Sequence, residues 1–330
     1  MLIKFMLNSN HDQPTPVPPI VILIAGVLSA STSSIFIRFA QEEVHSIVIA
    51  SYRMAIATVI LLPWALTRYR SDLRRLGTRQ WAMTLLAGLC LGLHFGTWIS
   101  SLAFTSVASS VVLVQTTPIF VMLLSPLILG EKPSGRAVVG LFVALLGSLA
   151  IGISDSCSSP FEPNCIATLS SANSTALRGD LLALAGALTG ALYLLIGRSV
   201  RKTIPLIPYI TLVYGIAAIS LWSVALSIRL PIMGFSSPMY LWFLLLAIFP
   251  QLLAHSSYNW ALKYLPAMLV SLSLLGEPVS ATLLAYLFLG ERLSSLRWIG
   301  AIIVLAGIAL AVIYPKRTLQ PAPGIDTIRE

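Results

Sequence analysis

Two long stretches of this chain contain no Asp, Glu, Lys or Arg: residues 81–129 and residues 230–262. A hydrocarbon layer about 30 Å thick is crossed by about 20 mainly apolar residues in a helix. Inside that layer every backbone N–H and C=O has to be bonded internally, which favours helices. Stretches this long without a charge therefore read as membrane spans, the first of them divided at the turn Thr105-Ser106. Composition agrees. Charged residues make up 10% of the chain and apolar residues 57%, whereas a soluble domain carries roughly 25% charged residues. The net charge of +9 raises the idea of a nucleic-acid binder, but the Lys and Arg sit in short loops between apolar runs, where they report topology.

The apolar pattern predicts helices near 20–40, 47–67, 81–104, 107–129, 135–154, 179–198, 206–229, 239–262, 265–289 and 297–314. The expected fold is all-α and integral to the membrane, with ten transmembrane helices. Trp64, Trp81, Trp242 and Trp298 lie near span ends, where indole rings anchor at the interface. With the N-terminus inside, the loop carrying Arg68, Arg70, Arg74, Arg75 and Arg79 faces the cytoplasm. Lys132, Arg136, Arg198, Arg201, Lys202 and Lys263 fall on that same side. The opposite side receives Arg38, Arg178, Arg229, Arg292 and Arg297. This excess predicts that both termini are cytoplasmic, in a plasma (inner) membrane. Residues 1–18, with Pro14, Pro16 and Pro18 and followed by Pro19, read as an extended, disordered tail rather than a cleaved signal peptide. Residues 315–330 form the opposite tail.

Sliding the chain by 160 positions against itself exposes a repeat. Gly26 meets Gly186, Arg38 meets Arg198 and Pro118 meets Pro278. Gly130-Glu131 meets Gly290-Glu291, and Gly140 and Gly147 meet Gly300 and Gly307. The expected units are 19–154 and 179–314, joined by an external loop at 155–178. Five helices per unit is an odd number, so the second copy enters the membrane from the other side. Inverted repeats of this kind underlie alternating access in many carriers, with the solute bound near the midplane between the halves. A duplication that left only a scaffold is the alternative.

The second copy reads His255-Ser-Ser-Tyr-Asn-Trp-Ala-Leu-Lys263, then Leu275-Gly-Glu-Pro278 and Leu289-Gly-Glu291. The first has Thr116-Thr-Pro118 and Leu129-Gly-Glu131, with Arg53 in its second span. In these features the chain resembles the EamA family of the drug/metabolite transporter superfamily, over nearly all of 20–314. The resemblance implies a ten-helix carrier with spans 1–4 and 6–9 around a central cavity. It also implies export or exchange of amino acids, nucleotide-related compounds or other small metabolites. The loop 155–178 departs from the family pattern.

Ionisable groups in hydrocarbon cost about 2.5–3.5 kcal/mol each on insertion scales, so those present usually face a cavity or a partner. They are Arg53, His94, His255 and Glu277. Their counterparts in the other copy, Val213, Ala254, Phe95 and Thr117, cannot ionise. Arg53 suits an anionic solute group, but a structural pair or a snorkel to the headgroups explains it equally well. His94, Thr97 and Trp98 share one helix face by their i, i+3, i+4 spacing, and His255, Tyr258 and Asn259 repeat it. Each set fits a cavity wall or interhelical bonding. Gln115, Thr116 and Thr117 crowd the turn before Pro118, and span 1 carries Ser29, Ser31, Thr32, Ser33 and Ser34. Pro118 and Pro278 should break their helices. Glu277, beside Pro278 in mid-span, is expected to matter most, binding a solute amine or carrying a coupling proton, unless it only bonds a neighbouring helix in its neutral form.

Cys90 reads as an inert core residue. Cys157 and Cys165 share the external loop, where an oxidising exterior permits a disulfide. No metal site and no cofactor is expected, and no Gly-x4-Gly-Lys-Ser/Thr motif offers ATP binding. An embedded enzyme is the weaker alternative, because His-Glu-x-x-His is absent and Glu277 is the only acid well inside a span. A passive channel is the other rival. The expected partners are a small-molecule solute, membrane lipids, and a coupling proton or counter-solute, with a homodimer left open.

Overall fold

A computed structural model describes residues 17–105, 107–153, 174–289 and 294–312. Its regular elements are helices. In chain order they are α1 (Pro19–Ala30), α2 (Ser33–Ala40), α3 (Ser46–Thr67), α4 (Arg70–Arg74), α5 (Thr78–Ser101), α6 (Val107–Val114), α7 (Thr117–Ile128) and α8 (Gly135–Ile153). There follow α9 (Ser174–Val200), α10 (Leu206–Ser227), α11 (Ser237–Leu246), a π-helical segment (Ala247–His255), α12 (Ser256–Ala261), α13 (Ala267–Ser273), α14 (Gly276–Leu289) and α15 (Ser295–Val312).

Eight helices among the described residues are long and apolar enough to cross a membrane. Three of these are composite: Pro19–Ala40, Ser109–Ile128 and Ser237–Ala261. Two further apolar helices, Gly135–Ile151 and Ala267–Ala281, are shorter and occupy the positions expected for spans 135–154 and 265–289. Burial follows the logic of a lipid solvent. Val59, Leu127, Leu146, Ile219 and Ile302 are exposed, whereas Arg53, Gln251, Asn259, Ser51 and Ser257 are buried. Apolar side chains facing outward cost nothing in hydrocarbon, and polar ones turn inward to find partners.

Local chemistry explains where the helices break. Pro118 and Pro278 lack an N–H and cannot bond the carbonyl four residues back. The chain resolves this by turning just before each proline. Thr116 N bonds Leu113 O, and Leu275 N bonds Leu272 O, both at 3.1 Å and both spanning three residues. Pro118 then sits in the first turn of α7, where a missing donor is harmless. Pro250 lies within the π-helical segment, whose wider winding accommodates an interruption of the regular ladder.

α8 and α15 cross closely. A Cβ placed on Gly147 would stand 2.6 Å from Gly300 O, and one on Gly140 would stand 2.5 Å from Gly307 O. Only glycine allows backbones this near, and membrane helices gain their attraction from such packing. Loop contacts sort the helix ends into two groups. At one end Glu43 accepts from Ser236 N at 2.7 Å and Ser236 Oγ at 2.6 Å, and Asp180 Oδ1 accepts from Thr105 and Ser109 at 2.8 Å. At the other, Glu131 meets Arg198 and Lys202, and Gln80 Nε2 donates to Thr203 Oγ1 at 3.1 Å. Cys90 is a buried free thiol. Cys157, Cys165, Glu291 and both chain tails fall outside the described residues, so the expectations attached to them do too.

Candidate functional site

Arg53 is buried inside the bundle, with 1% of its surface exposed. It points inward from α3, and the alternative that it snorkels to the headgroups does not hold. Its Nε donates to Gln251 Oε1 at 2.9 Å and its Nη1 to Ser33 Oγ at 3.1 Å. Its Cζ lies 4.0 Å from the centroid of the Phe95 ring, whose negative face favours a cation. Three elements thus hold one guanidinium: α2 through Ser33, α5 through Phe95 and the π-helical segment through Gln251.

The histidines adjoin it. His94 Nδ1 lies 2.8 Å from Gly186 O. A carbonyl only accepts, so Nδ1 carries the proton, and in the neutral ring Nε2 keeps its lone pair. The ring stacks near Trp98, 6.1 Å away at 17°, and stands 6.5 Å from the His255 ring. His255 makes edge contacts with Phe95 at 5.1 Å and Tyr258 at 5.5 Å. The Tyr258 hydroxyl donates to Glu277 Oε1 at 3.0 Å. The Glu277 carbonyl accepts from Ser31 Oγ at 3.2 Å. Asn259 Nδ2 donates to the Tyr193 hydroxyl and to His255 O.

Three polar side chains of this cluster, His94, His255 and Glu277, keep part of their surface accessible, although each lies within an apolar helix. Among the described residues Trp98 Nε1, His255 Nδ1 and Asn259 Oδ1 have no hydrogen-bond partner. Buried polar atoms in native structures are nearly always bonded. Gln251 Nε2 of the same cluster is also unbonded, while other unbonded atoms, such as Thr84 Oγ1 and Ser148 Oγ, lie elsewhere in the bundle. Arg53 and Glu277 form no direct ion pair among the described residues.

Not every residue of the expected site joins this cluster through its polar atoms. Thr97 Oγ1 bonds Leu93 O and His94 O within its own helix. Thr117 Oγ1 closes the turn on Val114 O at 2.7 Å and reaches Ala187 O at 3.3 Å, so it links α7 to α9. Pro118 and Pro278 set the helix starts and do not contribute polar groups. Conversely, Gln251, Tyr193 and Phe95 belong to the cluster and were not singled out from sequence. Gln251 stands four residues before His255, and Tyr193 is the repeat counterpart of Ser33. The 160-position shift that pairs Phe95 with His255 also pairs Tyr193 with Ser33.

Comparison with known proteins places this geometry in context. The EamA-like transporter family matches the chain twice, over residues 17–153 and 177–313. The chain is 24% identical to YwfM of Bacillus subtilis strain 168, described as an uncharacterized transporter, over 90% of this chain and 94% of that protein. It is also 24% identical to YetK of the same organism, described in the same words, over 90% of this chain and 87% of that one. One solved crystal structure of a protein superposes with a TM-score of 0.72 at 20% identity, covering 89% of this chain and 96% of the other. At that identity the likeness concerns the fold.

Proposed function

This chain belongs to the EamA-like transporter family and is a multi-pass membrane transporter; from that premise we propose that it is a secondary transporter moving a small organic solute by alternating access. The reading takes the bundle as ten spans in two inverted five-helix units, with both termini cytoplasmic in a plasma membrane. The observation that carries it is the polar cluster, in which Arg53 and Glu277, far apart in sequence, stand around accessible histidines in an otherwise apolar bundle. Symmetry supports the inverted arrangement. Gly140 faces Gly307 and Gly147 faces Gly300, and shifting either pair by 160 positions returns the other. The cluster obeys the same relation: Ser33 and Tyr193, Phe95 and His255, Trp98 and Tyr258, Thr117 and Glu277 are counterparts. A site at the repeat interface is where a carrier of this kind binds its solute.

In this reading Arg53 receives an anionic group of the solute, held in orientation by Gln251 and Ser33. Glu277, oriented by Tyr258, receives a cationic group or the coupling proton. His94 presents Nε2 as an acceptor, and Trp98 offers a stacking face. Solutes are identified by a thermal-shift screen of purified protein against amino acids, nucleosides and sugars, since a bound ligand raises stability. The stabilising solute is then used for counterflow in proteoliposomes with native protein and Glu277→Gln. The substitution keeps size and hydrogen bonding and removes the titratable charge. The expected result is a variant that inserts normally and is inactive, or active without pH dependence. Wild-type flux with an unchanged pH response would refute the role of Glu277.

A further inference from the structure

Arg38 and Arg198 stand 160 positions apart, and the structure uses them differently. Arg198 closes a clasp. Its Nε donates to Glu131 Oε1 at 2.9 Å, and its Nη1 donates to Leu262 O at 2.8 Å and Lys263 O at 3.1 Å. One guanidinium thereby ties the end of α9 to the end of α12 and to the chain that follows α7. Arg38, near the end of α2, is exposed and makes no hydrogen bond or ion pair among the described residues. The counterparts of Leu262 and Lys263 are Leu102 and Ala103, at the end of α5.

A neighbouring pair retains the repeat relation in its bonding. Gln41 Nε2 donates to Ile99 O at 3.0 Å. Arg201 and Asn259, their counterparts, are joined in the same way, Arg201 Nε to Asn259 O at 3.0 Å. The relation therefore holds at 41 and 201 and fails one helical turn away, at 38 and 198. Both residues are arginine, so residue type does not explain the difference at Leu102 and Ala103; Glu291, the counterpart of Glu131, lies outside the described residues. Ser34, Ile35 and Phe36 are partly exposed, while their counterparts Leu194, Leu195 and Ile196 are 3%, 0% and 4% exposed. The Arg198 end buries these three positions and the Arg38 end leaves them partly exposed.

We propose that Arg38 and Arg198 are the two halves of an alternating clasp. When the Arg38 end closes, its guanidinium docks on the carbonyl oxygens of Leu102 and Ala103, and Arg198 releases those of Leu262 and Lys263. This rests on the reading of the chain as an alternating-access carrier of inverted repeats. The chemistry is suited to it. A helix end leaves carbonyls without intrahelical donors and carries the negative pole of the helix dipole. A guanidinium presents several donors in a fixed fork and satisfies two such carbonyls at once. Exchange between water and carbonyls gives two discrete bonded states rather than a continuum, as a switch between two packings requires.

The test measures both ends of full-length protein in lipid nanodiscs, with the native cysteines replaced. Spin labels on Phe39→Cys and Phe104→Cys report the Arg38 end. Labels on Ser199→Cys and Tyr264→Cys, their counterparts, report the Arg198 end. Arg198→Gln should lengthen the distance at its own end and populate a short distance at the other. Adding Arg38→Gln should reduce that short population about tenfold or more, the ratio expected for losing a charge-assisted bond. Arg38 is exposed here, so replacing it removes no contact that folding uses. Should Arg198→Gln fail to fold, Arg198→Lys, which keeps the charge without the fork, takes its place. A lengthened Arg198 end with no change at the Arg38 end overturns the clasp, as does a short population indifferent to Arg38→Gln. If every variant shows a single distance at both ends, the alternating-access reading falls with it.

Discussion

Replacing Gly147 with valine puts a branched side chain into the close crossing of α8 and α15. A Cβ there lies 2.6 Å from Gly300 O, 2.6 Å from Val304 N and 2.8 Å from Val304 Cγ2. Ordinary contact begins at 3.4 Å, so α15 has to retreat by nearly an ångström. Two of the three obstructing atoms are backbone and cannot rotate aside. Overpacking of this kind costs about 1–3 kcal/mol, and valine adds further methyl groups beyond the Cβ. The gain in helix propensity over glycine is only a few tenths of a kcal/mol, about the spread between weak helix formers. Gly135→Val is the control, because a Cβ there meets nothing within 4 Å. The assay is unfolding in SDS of protein carrying Cys90 as its sole cysteine, since this buried thiol reacts with a maleimide once the bundle opens. Gly147→Val should unfold at a distinctly lower SDS fraction, with Gly135→Val within about 0.5 kcal/mol of wild type, as expected of a surface change. Equal midpoints for the two variants would show that α8 and α15 do not meet at Gly147.

Other outcomes follow from the site and the topology. Arg53→Lys keeps the charge but cannot span Gln251 and Ser33 with a single fork; the protein should fold and lose about tenfold or more in affinity for the solute found by thermal shift, and unchanged affinity would remove Arg53 from the binding site. Gly190→Ala sets a Cβ 2.8 Å from His94 Nδ1, so the ring should leave Gly186 O; nitrogen NMR of labelled histidine should show the Nδ1 signal shift, and an unmoved signal counts against the packing described. A cysteine placed at Arg74 should resist an impermeant maleimide in intact cells and react after permeabilisation; labelling in intact cells reverses the orientation.

Much of the membrane character was legible because it depends on local composition. A run without charge as long as residues 81–129 has one stable environment whatever its neighbours are. The ionisable residues inside the spans were legible for the same reason, since a charge in an apolar run stands out. Their partners were not. Sequence left Arg53 open between a headgroup snorkel and an internal pair, because either follows from a helix of that composition. The choice depends on which way α3 is rotated in the bundle, and that is set by packing against α10 and the π-helical segment. Gln251 was missed because an uncharged polar residue in a span carries little signal by itself. Its role comes from the π winding around Pro250, which turns it and His255 toward the same interior.

By itself, then, the sequence determined that this chain spans a membrane as helices, that its two halves are related, and that few ionisable groups lie in the spans. Each of these follows from the cost of a polar group in hydrocarbon, a property of residues rather than of their arrangement. Only the tertiary structure decided that Arg53 meets Gln251, Ser33 and Phe95, that Tyr258 orients Glu277, and that Arg198 bonds the carbonyls of Leu262 and Lys263 while Arg38 is exposed and unbonded among the described residues. Those facts depend on the rotation and tilt of helices distant in sequence. The two arginines make the point most sharply. They are identical residues at equivalent positions in the repeat, and only the packed bundle shows one bonded to the carbonyls of a neighbouring helix end and the other exposed.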